Sequence, residues 1–266
     1  MSVPEIGAGE PLLYLHGFAD IHGSSRDWFP FHRALAEHVR VLAPPHPGCA
    51  GSAEDEDLDT IEDVAFHYLQ MLDALGLTAF HLAGASIGGW IAAEIAVRIP
   101  ERVRSLTLIG ATGLYVPDAP IGDIFMMAQP TDGGRYDGYR QMLFRSADAP
   151  EALAMFPDGR MEHDREMLRY RLLRFASRVG FAPPYLYDRK LRGRLSRYRG
   201  PAMVIAGAED HLVPAAHARA YAEGLGRAEL QLIANAGNSV IVEQPNAAAA
   251  LVHACMRRAD APVVAA

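Results

Sequence analysis

Lysine is almost missing from this chain: Lys190 is the only one among 25 basic residues, and 32 acids leave the 266 residues at a net charge of −7. Without an overall basic field the chain cannot draw phosphate by releasing counterions, so nucleic acid is not expected as a partner. Cysteine is scarce too. Cys49 and Cys255 lie far apart with no CxxC spacing, so neither a disulfide framework nor a structural zinc site is expected. No run of about 18 uncharged apolar residues occurs, and residues 1–10 lack a basic stretch leading into an apolar one. The expectation is a cytoplasmic protein with no membrane span. The 11 histidines show no H-E-x-x-H or paired cluster, so no metal is expected, and no cofactor is implied.

What the chain does have is alternation. Short apolar runs at 12–15, 39–43, 80–83, 106–109, 203–206 and 230–233 are too short for helices. Between them, residues 27–37, 58–75, 87–99, 215–223 and 245–257 carry apolar residues at helical spacing. This pattern predicts an α/β fold with a mostly parallel sheet of about six strands, covered by helices on both faces. From 114 to 199 no clear strand appears and short helical pieces dominate, notably 136–144 and 162–179. The prediction is therefore a core of residues 1–113 and 200–266 with a helical lid at 114–199. Residues 160–199 hold twelve Arg or Lys against four acids, a net +8, which leaves −15 elsewhere. Such a run reads as a solvated face paired with an acidic body, or as an attractor for carboxylate substrates or an anionic membrane surface.

Chemistry concentrates at Gly84-Ala85-Ser86-Ile87-Gly88, a G-x-S-x-G sequence that follows an apolar run and opens a helix. In a sharp strand-turn-helix bend the flanking glycines avoid collisions and Ser86 is presented alone at the tip. The N–H of Ile87 then sits at a helix N-terminus, suited to an oxyanion. No glycine pattern of a phosphate cradle occurs at this turn.

The segment from Leu12 to Phe18, reading L-L-Y-L-H-G-F, resembles the strand-to-loop junction of the α/β-hydrolase family, and the resemblance continues in order. Residues 43–52 are similar to that family's P-G-x-G-x-S loop, and Gly207-Ala208-Glu209-Asp210 to its acid turn. Coverage runs from about residue 11 to 258. The resemblance implies Ser86 as nucleophile, the Phe18 and Ile87 amides as oxyanion donors (Ala19 if the register is off by one), His16 as a loop-ordering residue and Asp210 as the acid that orients the base. A cap for the following helix is the bland role for Asp210.

Two departures stand out. Only about ten residues precede Pro11, so the family's N-terminal hairpin should be shortened. More seriously, the loop that carries the family's histidine reads Gly237-Asn238-Ser239-Val240-Ile241-Val242-Glu243-Gln244-Pro245, with Asn238 at the histidine's position. A carboxamide cannot take a proton from Ser86 near neutral pH. His211 beside Asp210 is a poor substitute, and Cys49 reads as inert packing. His22 is a candidate substrate contact at the pocket mouth. Phe125, Met126, Met127, Met142, Phe144, Phe156 and Tyr185 are candidate apolar lining residues, or ordinary lid core.

Two functions follow. In the first, this is a serine hydrolase of an ester, a lactone or a carbon-carbon bond next to a ketone, silenced by an introduced Asn238. In the second, Asn238 is native and the chain is a lyase, a cyclase or a ligand-binding protein. Both expect a small-molecule partner, and a homodimer is possible through the lid.

Overall fold

The computed structural model describes residues 3–20, 28–129, 131, 134–159, 162–181 and 185–260. Among these residues the main sheet has seven strands: β1 (Glu5–Ile6), β2 (Pro11–Leu15), β3 (Arg40–Leu42), β4 (Phe80–Ala85), β5 (Val103–Ile109), β8 (Ala202–Gly207) and β9 (Ala228–Ile233), in the order β1-β3-β2-β4-β5-β8-β9. All neighbouring pairs are parallel except β1 with β3. The six expected strands are present, and β1 is a two-residue antiparallel remnant at the edge.

The strands form because their side chains can be buried on both faces. Every residue of β4 and β8 is buried, whereas β9, at the edge, leaves Glu229 and Gln231 outside. Along β2 the pleat sends Leu12 and Tyr14 to one face, under α1 (Pro30–Ala36) and α10 (Pro245–Asp260). Leu13 and Leu15 go to the other, under α2 (Ile61–Ala74), α3 (Ile87–Arg98) and α9 (Ala215–Leu225). α3 is buried from Ile87 to Val97, as a helix enclosed on all sides should be.

Register then decides where chemistry can occur. Leu15 pairs with Gly84, Ala85 with Ile109, and Ile109 with Ile205. The carboxyl ends of β2, β4, β5 and β8 therefore lie side by side, the edge at which open α/β sheets bind ligands.

After β5 come β6 (Gly113–Leu114), α4 (Ile124–Met127), α5 (Asp137–Leu143), α6 (Pro150–Met155), α7 (His163–Gly180), β7 (Tyr187–Asp188) and α8 (Leu191–Arg194). β7 pairs with β6, Gly113 opposite Tyr187, which ties the inserted segment back to the end of β5. The sequence shows no strand here because two residues are too few to make a pattern. Part of the basic run is spent on the body: Arg174 reaches Glu54 (2.7 Å), Arg178 reaches Asp59 (3.3 Å), Arg192 reaches Glu223 (3.1 Å), and Arg197 donates to the Val97 carbonyl (2.8 Å). Of the two surface accounts, pairing with the acidic body describes these arginines.

Candidate functional site

β4 runs straight into α3 with one residue between them, Ser86, whose backbone is forced to φ 50°, ψ −116°. A positive φ at a side-chain-bearing residue costs free energy, and such strain gathers at functional sites. The bend is possible only with glycine on either side. A Cβ on Gly84 would stand 2.3 Å from the Gly88 carbonyl oxygen, and one on Gly88 would stand 2.2 Å from that of Leu15. The Ser86 N–H donates to the Ile109 carbonyl (2.8 Å), while its own carbonyl accepts from Trp90 and Thr112, both at 3.2 Å. Its side-chain hydroxyl is buried and has no hydrogen-bond partner among the described residues.

Beside the elbow, β2 opens into His16-Gly17-Phe18-Ala19-Asp20. His46 braces this turn from the next loop: its N–H donates to His16 Nε2 (3.0 Å), and its Nε2 lies 2.9 Å from the His16 carbonyl. Burial pulls the His46 pKa down to about 4, so this ring is neutral at pH 7. Phe175 of α7 stacks on it, centroids 4.8 Å apart. The Gly17 N–H donates to Asp20 Oδ1 (2.6 Å), and the Tyr14 hydroxyl donates to Oδ2. The N–H groups of Phe18 and Ile87 have no acceptor among the described residues.

Two later loops meet the same edge. A Cβ on Gly207 would stand 2.1 Å from the Gly237 carbonyl oxygen, so the loops after β8 and β9 pass in backbone contact. That approach brings Asp210 to Asn238. Asn238 Nδ2 donates to Asp210 Oδ2 (2.9 Å) and to the Gly110 carbonyl (3.0 Å). Asp210 Oδ1 accepts the N–H groups of Leu212 (2.9 Å) and Val213 (2.8 Å), so it caps the loop ahead of α9 as well as holding Asn238. Burial pushes the Asp210 pKa up to about 7, against these hydrogen bonds, and the Glu243 carboxylate adds to the rise.

Gly17, Phe18, Ala19, Asp20, Ala85, Ser86, Asn238, Ser239, Ile241 and Val242 line one cavity of about 10 Å³, room for about one water molecule. The structure thus brings Ser86, Phe18, Asn238 and Asp210 together around the amide end of α3. None of the candidate lining residues borders that cavity, although the Phe144 backbone packs against Gly237. Phe125 packs edge-on to Phe181 (5.2 Å), and Met126 is 70% exposed. Phe144 is fully buried against Phe156, and Tyr185 lines a separate hollow of 290 Å³ with Tyr115, Tyr187 and His217. His22 lies outside the described residues. His211 is exposed, and Cys49 is wholly buried with its thiol pushed up to about 12, the mark of an inert thiol.

Two carboxylates went unassigned in the sequence reading. Glu243 accepts the N–H groups of Gly237 (2.6 Å) and Arg145 (3.0 Å), fixing the turn that carries Asn238. Asp20 closes the Gly17 turn. Glu243 was visible as the acid of the G-x-x-x-x-x-E-x-P pattern; Asp20 had no signal beyond standing four residues after His16. Among the described residues no group of three or more His, Cys, Asp or Glu could hold a metal, and no helix is long and apolar enough to cross a membrane.

The sequence profile described as "alpha/beta hydrolase fold" matches residues 10–245. The chain is 29% identical over 246 residues to the dihydrolipoyllysine-residue acetyltransferase component of the acetoin cleaving system of Pseudomonas putida, covering 88% of this chain and 60% of that one. It therefore spans about 60% of that relative's length. It is 28% identical to the 2-hydroxymuconate semialdehyde hydrolase of Pseudomonas sp. (strain CF600), covering 97% of this chain and 90% of the relative. Among solved structures, a bacterial membrane phospholipase A superposes with a TM-score of 0.75 at 23% identity, covering 97% of this chain and 82% of that one. A meta-cleavage product hydrolase from Pseudomonas fluorescens IP01 gives 0.74 at 20% identity, covering 96% and 93%.

Proposed function

Because the chain belongs to the α/β-hydrolase fold family, we propose that it is built as a serine hydrolase of small molecules, with Ser86 as nucleophile and Asp210 as the orienting acid. One observation carries this reading: Ser86 stands at a strained elbow in the same cavity as Asn238, whose amide already holds the bond to Asp210 that an imidazole N–H would make. In the working form a histidine at 238 takes the Ser86 proton as the oxygen attacks an acyl carbon. The Phe18 and Ile87 N–H groups hold the oxyanion, and the histidine passes the proton to the leaving group. Water then repeats the sequence on the acyl-enzyme. The bond cleaved is an ester, a lactone or a carbon-carbon bond beside a ketone; the relative named a 2-hydroxymuconate semialdehyde hydrolase supports hydrolysis of a small molecule. The inserted segment serves as the lid.

With Asn238 the base is gone, and loss of a triad member lowers turnover by roughly 10⁴ to 10⁶. Asn238 is read as a substitution into a complete site, since the elbow, the acid and the Glu243 brace are all in place. A second reading, a native ligand-binding or non-hydrolytic member, is favoured by one detail: both Nδ2 hydrogens of Asn238 are satisfied, at Gly110 and Asp210. Asn238→His decides between them. The first reading expects hydrolysis of a short p-nitrophenyl ester to rise by several orders of magnitude and to vanish again when Ser86→Ala is added. No rise in a folded Asn238→His protein overturns it.

A further inference from the structure

The turn that would hold the oxyanion is closed by a carboxylate that the triad does not use. We propose that Asp20 is a positioning residue for catalysis: by taking the Gly17 N–H into its own carboxylate, it turns the neighbouring Phe18 N–H toward the space beside Ser86. The inference rests on the serine-hydrolase reading above.

Three observations carry it. First, Asp20 is buried, and its two oxygens each hold a different donor, Gly17 N–H at 2.6 Å and the Tyr14 hydroxyl. Tyr14 is fully buried in β2, packed against Phe31 and His32 (centroids 5.4 and 4.8 Å), so the carboxylate is anchored to the sheet itself. Second, the turn is pressed against the nucleophile. A Cβ on Gly17 would stand 3.0 Å from Ser86 Cβ and 3.1 Å from Asp20 Oδ1, so Gly17 fills the gap between the two. Third, with Gly17 committed to Asp20, the Phe18 N–H is left without an acceptor among the described residues, in a turn that lines the Ser86 cavity.

Buried carboxylates are costly to keep. Burial pushes the Asp20 pKa up to about 6, yet the fold retains the acid where an apolar residue would pack without that cost. The return is rigidity. A preorganised donor works because it need not reorient as charge develops on the substrate oxygen.

The test uses the Asn238→His protein as its active background. Asp20→Ala removes the acceptor and frees the turn; Asp20→Asn keeps an oxygen that can accept from Gly17. The proposal expects Asp20→Ala to lower kcat about 100-fold or more, the scale of losing one oxyanion donor, with KM within about threefold. Asp20→Asn restores kcat to within about tenfold of the background, and Tyr14→Phe, which keeps the Gly17 bond, falls between. Asp20→Ala with kcat within threefold of the background, or a loss shared equally by kcat and KM that Asp20→Asn does not repair, overturns it. A second readout needs no activity: in the unaltered chain, the Gly17 and Phe18 amide resonances shift in Asp20→Ala and much less in Tyr14→Phe. If Asn238→His stays inactive, the hydrolase reading fails by itself. Unshifted amides in folded Asp20→Ala overturn the positioning role independently.

Discussion

Asp210 is a largely buried acid whose side-chain partner is a neutral amide, and that has a measurable consequence. An amide donates a hydrogen bond but brings no positive charge, so burial wins and the folded pKa stands at about 7 against 3.8 for the free side chain. Between these values the native state keeps a proton that the unfolded chain has released, so stability falls as pH rises. The contribution is fully present below about pH 4 and is lost as pH climbs through 7. A shift of about three units corresponds to at most roughly 4 kcal/mol, reduced by the partial exposure of the side chain, so about 2–3 kcal/mol is the working figure. Asp20 and Glu243 are raised in the same sense, while His46, pulled down to about 4, acts oppositely below pH 6. The informative quantity is therefore the difference between the parent and Asp210→Asn. Urea unfolding at steps from pH 4 to pH 8.5 should show the parent losing that 2–3 kcal/mol relative to Asp210→Asn. In Asn238→His the trend weakens or reverses, because an imidazolium favours the carboxylate. A parent-minus-variant difference that is flat across this range refutes the reasoning.

The elbow gives two further expectations. Gly88→Ala should cost about 3 kcal/mol or more by urea unfolding, since its methyl meets the backbone oxygens of Leu15 and His16 at 2.2 and 2.5 Å. Gly193→Ala, with nothing within 4 Å inside α8, should gain a few tenths up to about 1 kcal/mol; equal effects at the two sites would be inconsistent with the packing. Ser86→Ala should stabilise the fold by about 1 kcal/mol, because it removes a buried hydroxyl with no partner among the described residues. Ser86→Gly should stabilise it by at least as much through relief of the positive φ. Calorimetry finding the parent more stable than both would mean that the elbow is not strained.

Most of the sheet was legible because strands buried on both faces announce themselves as short apolar runs, as at residues 80–83 and 203–206. Two-residue strands cannot do so: Glu5–Ile6 and the pairing of Gly113 with Tyr187 exist only because β3 and β6 happen to pass nearby. The same division runs through the site. Ser86, Asp210 and Asn238 occupy positions that a linear pattern can mark. Asp20 and Glu243 act on backbone N–H groups of folded turns; the loop pattern marks Glu243, but no spacing rule exposes Asp20. The candidate lining residues were the least legible, since which way Met126 or Phe144 faces depends on how four- and seven-residue helices settle on the body, not on their own periodicity.

The stack of Phe175 on His46 bears on any attempt to replace residues 114–199 with the corresponding segment of a relative. His46 is the brace of the His16–Gly17 turn, and one of its faces rests on a ring supplied by α7. A foreign cover without an aromatic at that point would leave a gap above the brace. Such chimaeras should therefore need an aromatic kept at position 175, whatever else the transplanted segment changes.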